Sequence, residues 1–153
     1  MKKRIVFLVL LVALAAAPAF SFGIGGAFGL NFVGGLGTGG LVSVKFDEFP
    51  AVIGVGARFG DGWFNMAATA DWWLYETNLA GMLDLYVGPG LYAAIGSNVF
   101  DLGVRVPVGL HLYVIDPLEL FLEIAPAIGV GLGNGFEFPK WDFQGAFGFR
   151  FWF

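Results

Sequence analysis

From Phe22 to the last residue, apolar side chains fall on every second position, in runs that hold one phase for about a dozen residues. The clearest run sets Phe100, Leu102, Val104, Val106, Val108, Leu110 and Leu112 against Asp101, Arg105, His111 and Tyr113. Successive side chains of a strand point to opposite faces, so such a run has one greasy side and one polar side. Few folds accept many strands of this kind in a chain of 153 residues. The stretch from Phe22 to Val44 carries no charge and has a spanning helix as its rival reading. Its nine glycines decide against that, at about 1 kcal/mol each relative to Ala in a helix.

Seven further runs alternate in the same way. Phe22, Ile24, Phe28, Leu30 and Phe32 oppose Gly23, Gly25, Ala27, Gly29 and Asn31. Val42, Val44 and Phe46 oppose Ser43 and Lys45, and Ile53, Val55, Ala57 and Phe59 oppose Gly54, Gly56 and Arg58. Phe64, Met66, Ala68, Ala70 and Trp72 oppose Asn65, Thr69 and Asp71, and Leu83, Leu85 and Val87 oppose Asp84 and Tyr86. Leu118, Leu120, Leu122, Ile124, Ile128 and Val130 oppose Glu119, Glu123, Ala125, Ala127 and Gly129. Trp141, Phe143, Phe147, Phe149, Phe151 and Phe153 oppose Asp142, Gln144, Gly148 and Arg150. Eight strands is an even number, and most approach the roughly 9–11 residues that a tilted strand needs to cross a bilayer. No Lys or Arg lies on the apolar phase at mid-strand, where it would cost about 2–4 kcal/mol in lipid.

Composition points the same way. Hydrophobic residues make up 58% of the chain and charged ones 13%, about half the charged share of a soluble domain. The expected fold is all-β, an eight-stranded antiparallel up-and-down transmembrane β-barrel over residues 20–153. A soluble barrel with an apolar interior is disfavoured, because it would turn these ionisable residues outward. With no Cys in the chain, disulfides, thiol catalysis, Cys-based metal sites and a lipoprotein anchor are excluded.

Lys2, Lys3 and Arg4 precede an apolar run from Ile5 to Ala16, and Ala17-Pro18-Ala19 follows. Basic start, short apolar core and A-x-A end are the parts of a secretory signal peptide. Residues 1–19 are the expected leader, with cleavage after Ser21 as the second choice. Its removal leaves 5 Lys+Arg against 12 Asp+Glu, a formal charge of −7. Such a chain is a poor nucleic-acid partner, since phosphate contacts need clustered Lys and Arg.

Asp47-Glu48-Phe49-Pro50, Gly60-Asp61-Gly62, Gly96-Ser97-Asn98 and Ile115-Asp116-Pro117 read as turns. The longest connection falls between Gly131 and Lys140. With the N-terminus in the periplasm, Trp72, Trp73, Tyr75, Tyr113 and Trp152 are expected at the periplasmic rim, where aromatic girdles belong. Trp63 and Trp141 are expected at the outer rim.

The chain ends Phe149-Arg150-Phe151-Trp152-Phe153. This resembles the terminal strand of bacterial outer-membrane barrels, and the resemblance implies that Phe153 is a sorting signal for the barrel-assembly machinery. The mature chain as a whole resembles small barrels of the OmpA-barrel, OmpX and OmpW type. Arg105-Val-Pro-Val-Gly-Leu and Asp116-Pro-Leu-Glu-Leu-Phe-Leu-Glu-Ile-Ala-Pro126 resemble an uncharacterised family of small outer-membrane proteins. That likeness implies location in the bacterial cell outer membrane, contact with its lipid, a monomer and no particular activity.

Eight strands enclose a lumen that side chains fill or one small ligand occupies. The expected polar network of that lumen comprises Lys45, Arg58, Asp71, Asp84, Arg105, His111, Glu123 and Arg150, with Asp101, Glu119 and Asp142 on the same phase. If the last turn centres near Phe136, Glu123 lies across from Arg150 and bridges it. The Gly and Ala residues facing inward on the first and seventh strands either receive long side chains from other walls or leave a narrow cavity.

No catalytic constellation is visible, so no enzyme activity, cofactor or metal is expected. His111 is the only His and has no inward Ser nearby; with Glu119 it offers two metal ligands, a weak signal. Gly35-Leu-Gly-Thr-Gly-Gly40 matches a nucleotide fingerprint, which requires a following helix, whereas here a strand follows. Two functions remain. One is a structural or interaction barrel with a side-chain-filled lumen; the other is a narrow conduit or binding barrel for small or lipophilic solutes, as in the OmpW type.

Overall fold

The computed structural model describes residues 21–33, 38–97, 99–133 and 135–153. The expected leader, residues 34–37 (the first half of Gly35–Gly40 among them), Asn98 and Asn134 lie outside those residues. Eleven hydrogen-bonded segments follow in chain order: β1 (Phe22–Val33), β2 (Gly39–Phe46), β3 (Ala51–Gly60), β4 (Trp63–Trp72), β5 (Tyr75–Ala80), β6 (Leu83–Val87), β7 (Gly90–Gly96), β8 (Val99–Arg105), β9 (Val108–Ile115), β10 (Leu118–Leu132) and β11 (Phe136–Trp152). They make eight staves, because β4 runs on into β5, β6 into β7, and β8 into β9. All pairings are antiparallel, and β11 pairs with both β10 and β1, which closes the barrel.

Prolines mark the interruptions. Pro89 and Pro107 sit in the breaks between β6 and β7 and between β8 and β9, and Pro126 lies inside β10. A proline cannot donate to a ladder, but each of these accepts from the neighbouring stave. Trp72 N–H donates to the Pro89 carbonyl (2.9 Å), Gly88 N–H to Pro107 (3.2 Å) and Val106 N–H to Pro126 (3.0 Å). The ladder therefore crosses the breaks intact.

The staves are staggered. Following partners around the wall from Gly23 leads through Lys45, Val52, Asp71, Gly90, Arg105, Ala127 and Asp142. The path returns to β1 beside Val33, the partner of Phe143, about ten residues from where it began. Tilt and stagger of this order are what a closed eight-stranded wall requires. At the mouth where the chain ends, Phe153 N–H donates to the Phe22 carbonyl (3.0 Å) and Phe22 N–H to Phe153 (3.3 Å).

Phase holds along the staves except for one slip between Trp73 and Glu76. Ile53, Val55, Phe64, Leu102, Val104, Leu122, Ile124, Phe147 and Phe149 are exposed on the outer wall, while Arg105, His111, Glu119, Glu123 and Arg150 are buried inside. The lining is polar and the exterior apolar, the reverse of a soluble domain.

The structure adds two segments that the alternating runs left unassigned and corrects two expectations. β5 lies between the fourth and fifth runs and β7 between the fifth and sixth, and they complete the fourth and fifth staves. The last turn lies at residues 133–135, where Gly135 takes φ +143°, and not near Phe136. Finally, Trp73, Tyr113 and Trp152 do not join a lipid-facing girdle. Trp73 is 5% exposed inside the barrel, and Trp152 donates to the inward Glu119. Tyr113 shares the inner face at the mouth, its ring 6.1 Å from His111 and 6.2 Å from Trp152.

Candidate functional site

Among the described residues polar chemistry converges in the lumen, which is organised around two arginines. Arg105 ends β8 and reaches across the barrel: its Nε lies 3.0 Å from Asp71 Oδ1, Nη1 donates to Gln144 Oε1 at 2.7 Å, and Nη2 contacts Glu123. Asp71 is on β4, Glu123 on β10 and Gln144 on β11, so one guanidinium ties together four staves. Only Arg presents donors in a rigid fork able to do this. Tyr86 Oη donates to the second oxygen of Glu123 (2.7 Å), and Gln144 Nε2 donates to Asp142 (2.8 Å). Every one of these side chains is under a tenth exposed.

Arg150, on β11, builds the adjoining layer. Its Nη1 donates to Glu119 (3.0 Å) and its Nε to Ser43 (2.9 Å). Its guanidinium carbon sits 4.0 Å from the Phe121 ring centre and 5.4 Å from Trp73. The expected Glu123–Arg150 bridge is therefore wrong. With the turn at 133–135, Glu119 is the register partner of Arg150, and Glu123 faces Ala146. Each glutamate takes a different arginine.

Aromatic rings pack against these layers. Trp73 stacks on Tyr86 with ring centres 3.6 Å apart. The Lys45 ammonium lies 3.7 Å from the Trp73 centre and 5.5 Å from Trp152. Desolvated cation–π contacts of this sort contribute about 2 kcal/mol. The inward glycines accommodate these rings: a Cβ at Gly109 would strike Tyr86, one at Gly103 would meet Tyr92 at 2.6 Å, and one at Gly23 would lie 2.9 Å from Trp152. Small residues on one wall thus receive long side chains from another.

Toward the far mouth the small residues leave space instead. A cavity of about 70 Å³ lies between Ala27 and Gly29 of β1, Gly54 and Gly56 of β3, and Ala67 of β4. That is room for a few waters or one very small solute. Its floor is Asp71, Arg105, Glu123 and Arg150, and Arg58 lines it near the far mouth, its guanidinium 5.5 Å from the Trp63 ring centre. On the opposite wall Lys140 holds both oxygens of Asp101 (2.8 and 2.9 Å).

At the other mouth lies a cluster containing His111 and Asp84. Asp84 pairs in register with His111 and accepts from Asn78 Nδ2 at 2.8 Å. His111 Nδ1 is 3.2 Å from Glu119 Oε1, and Nε2 is 3.3 Å from Glu76 Oε1. Phe153 stands apart on the outer wall, 70% exposed, its ring 5.7 Å from that of Phe22.

The inward phase already held Lys45, Arg58, Asp71, Asp84, Arg105, His111, Glu123 and Arg150. Ser43 and Gln144 were on that phase as well; what sequence reasoning missed is the rest of the company they keep: Trp73, Glu76, Phe121 and Lys140. Phe121 shares the phase of Glu119 and Glu123, so alternation alone identifies it. Trp73 likewise continues the phase of Asp71, whereas Glu76 carries no such signal, because the phase slips by one residue between Trp73 and Glu76.

No protein-family model matches the chain, and no curated protein does. Among solved structures, the crystal structure of Neisserial surface protein A matches with a TM-score of 0.50 and 15% identity. The match covers 88% of this chain and 97% of that one. At that identity the likeness is one of fold.

Proposed function

We propose that this chain is an integral barrel of the bacterial outer membrane, with a lumen closed by its own side chains and a structural or surface-interaction role. One observation carries the reading: an apolar outer wall surrounds an interior of buried, mutually paired charges. Leu122 is 56% exposed and Phe147 51%, while Glu119 is fully buried beside them. In water this arrangement leaves large greasy patches uncovered. In lipid the closed ladder pairs the backbones of the staves, and the outward side chains of the wall are predominantly apolar. Likeness of fold to a surface protein of Neisseria supports the same reading.

In this reading residues 1–19 direct export, the mouth holding the termini faces the periplasm, and Phe153 is recognised by the assembly machinery as a free, outward aromatic. The cavity above Arg105 favours a second, narrower reading, a blind binding pocket for a very small solute. A conduit is less well supported, because the Arg105 and Arg150 layers span the lumen beneath that cavity. Cell fractionation followed by unboiled and boiled gel mobility tests the proposal. The expected result is an outer-membrane band that runs faster unboiled; a soluble periplasmic protein with unchanged mobility would overturn it.

A further inference from the structure

We propose that Glu76, Asp84 and His111 form a divalent-metal site, of the class that takes Zn2+, at the mouth beside the chain termini. The three residues stand on adjacent segments β5, β6 and β9 and share the inner face. One ligand atom from each lies within 4.8 Å of the others. His111 is 2% exposed, and neither ring nitrogen makes a hydrogen bond of normal geometry to a described residue.

Both nitrogens nevertheless face carboxylates, Nδ1 toward Glu119 and Nε2 toward Glu76, at 3.2 and 3.3 Å. A neutral imidazole has one N–H. If Nδ1 carries it toward Glu119, the Nε2 lone pair points at a Glu76 oxygen, and that repulsion is relieved by a cation between them. Two donors on a tetrahedral zinc, each about 2.0–2.2 Å from the ion, stand roughly 3.3–3.5 Å apart. The Nε2 to Glu76 separation already has that value.

The surroundings are those of a metal ligand. Glu119 is fully buried and fixed by Arg150 Nη1 (3.0 Å) and Trp152 Nε1 (2.8 Å), so it can hold the His111 ring in one tautomer, as outer-shell carboxylates do. Asn78 occupies Asp84 Oδ1 and leaves Oδ2 to the site. The Glu76 side chain is 45% exposed and supplies an entry path. One imidazole and two carboxylates, with a remaining position for water, suit borderline Zn2+ better than a soft ion such as Cu(I).

The intact barrel, extracted in detergent and stripped with EDTA, is titrated with Zn2+ by calorimetry at neutral pH. A parallel titration with Co2+ is followed by visible absorption. The expected result is one ion per barrel, with Co2+ bands that Zn2+ displaces. Glu76→Gln and Asp84→Asn should each weaken Zn2+ binding by more than the roughly 10–100-fold that loss of an outer-shell partner costs. Both variants should keep the heat-modifiable gel band. Absence of Zn2+ binding, or wild-type affinity in either variant, overturns the proposal and leaves His111 as a buried ring packed between Glu76 and Glu119.

Discussion

Replacing Arg105 with Met is the sharpest perturbation of the lumen. The guanidinium contacts Asp71, Glu123 and Gln144, whose side chains are buried together with it. Met fills much of the volume but leaves two carboxylates without their cation. Removing one partner of a buried ion pair costs about 3–5 kcal/mol, or two to three and a half orders of magnitude in the folding equilibrium. The figure is set by the stranded charges more than by the lost bonds. The triple variant Arg105→Met/Asp71→Asn/Glu123→Gln neutralises all three groups and should recover most of the loss, as apolar replacement of buried pairs does elsewhere. Equilibrium urea unfolding in lipid vesicles, followed by Trp fluorescence, measures both. A loss below about 1 kcal/mol for Arg105→Met would refute the reasoning. So would a triple variant as unstable as the single.

Three other expectations test the wall rather than its filling. A methyl at Gly25 runs into the Phe149 carbonyl, whereas at Gly40 nothing among the described residues lies within 4 Å; Gly25→Ala should cost about 1–3 kcal/mol in the same assay and Gly40→Ala little. Ile124 faces outward at mid-strand and Phe136 at the far rim. Ile124→Arg should therefore cost about 2–4 kcal/mol in vesicles and Phe136→Arg about 0–1, and equal costs would contradict a membrane midplane near Ile124. Deleting Phe153 should lower the amount of heat-modifiable barrel in outer-membrane fractions with little change in total synthesis, as immunoblots of cell fractions would show.

The outer wall was legible because lipid imposes one demand on every stave, an apolar residue at each second position. Phe100 to Leu112 and Leu118 to Val130 follow it so strictly that phase, and hence the inward set, could be assigned from spacing. Register was not legible. It depends on where a turn falls, and a chain containing Gly131, Gly133 and Gly135 offers several places for one. Moving the turn from Phe136 to 133–135 exchanged Glu123 for Glu119 as the partner of Arg150. Interruptions hid the rest: Pro89 and the slip between Trp73 and Glu76 cut the alternation short, so β5 and β7 were left unassigned. With β5 went Glu76 and the cluster around His111. The aromatic rim failed for a related reason. Level along the barrel places Trp152 at the mouth, but only its phase, shared with Arg150, turns it into the lumen.

Closure of that lumen is the central claim, and ionic conductance across a planar lipid bilayer tests it most directly. Wild-type barrel, inserted at known density, should give no steady unitary current if, as proposed, the Arg105 and Arg150 layers with Trp73 and Tyr86 fill the cross-section. Regular current steps from the wild-type barrel, persisting when other porins are excluded, would contradict it.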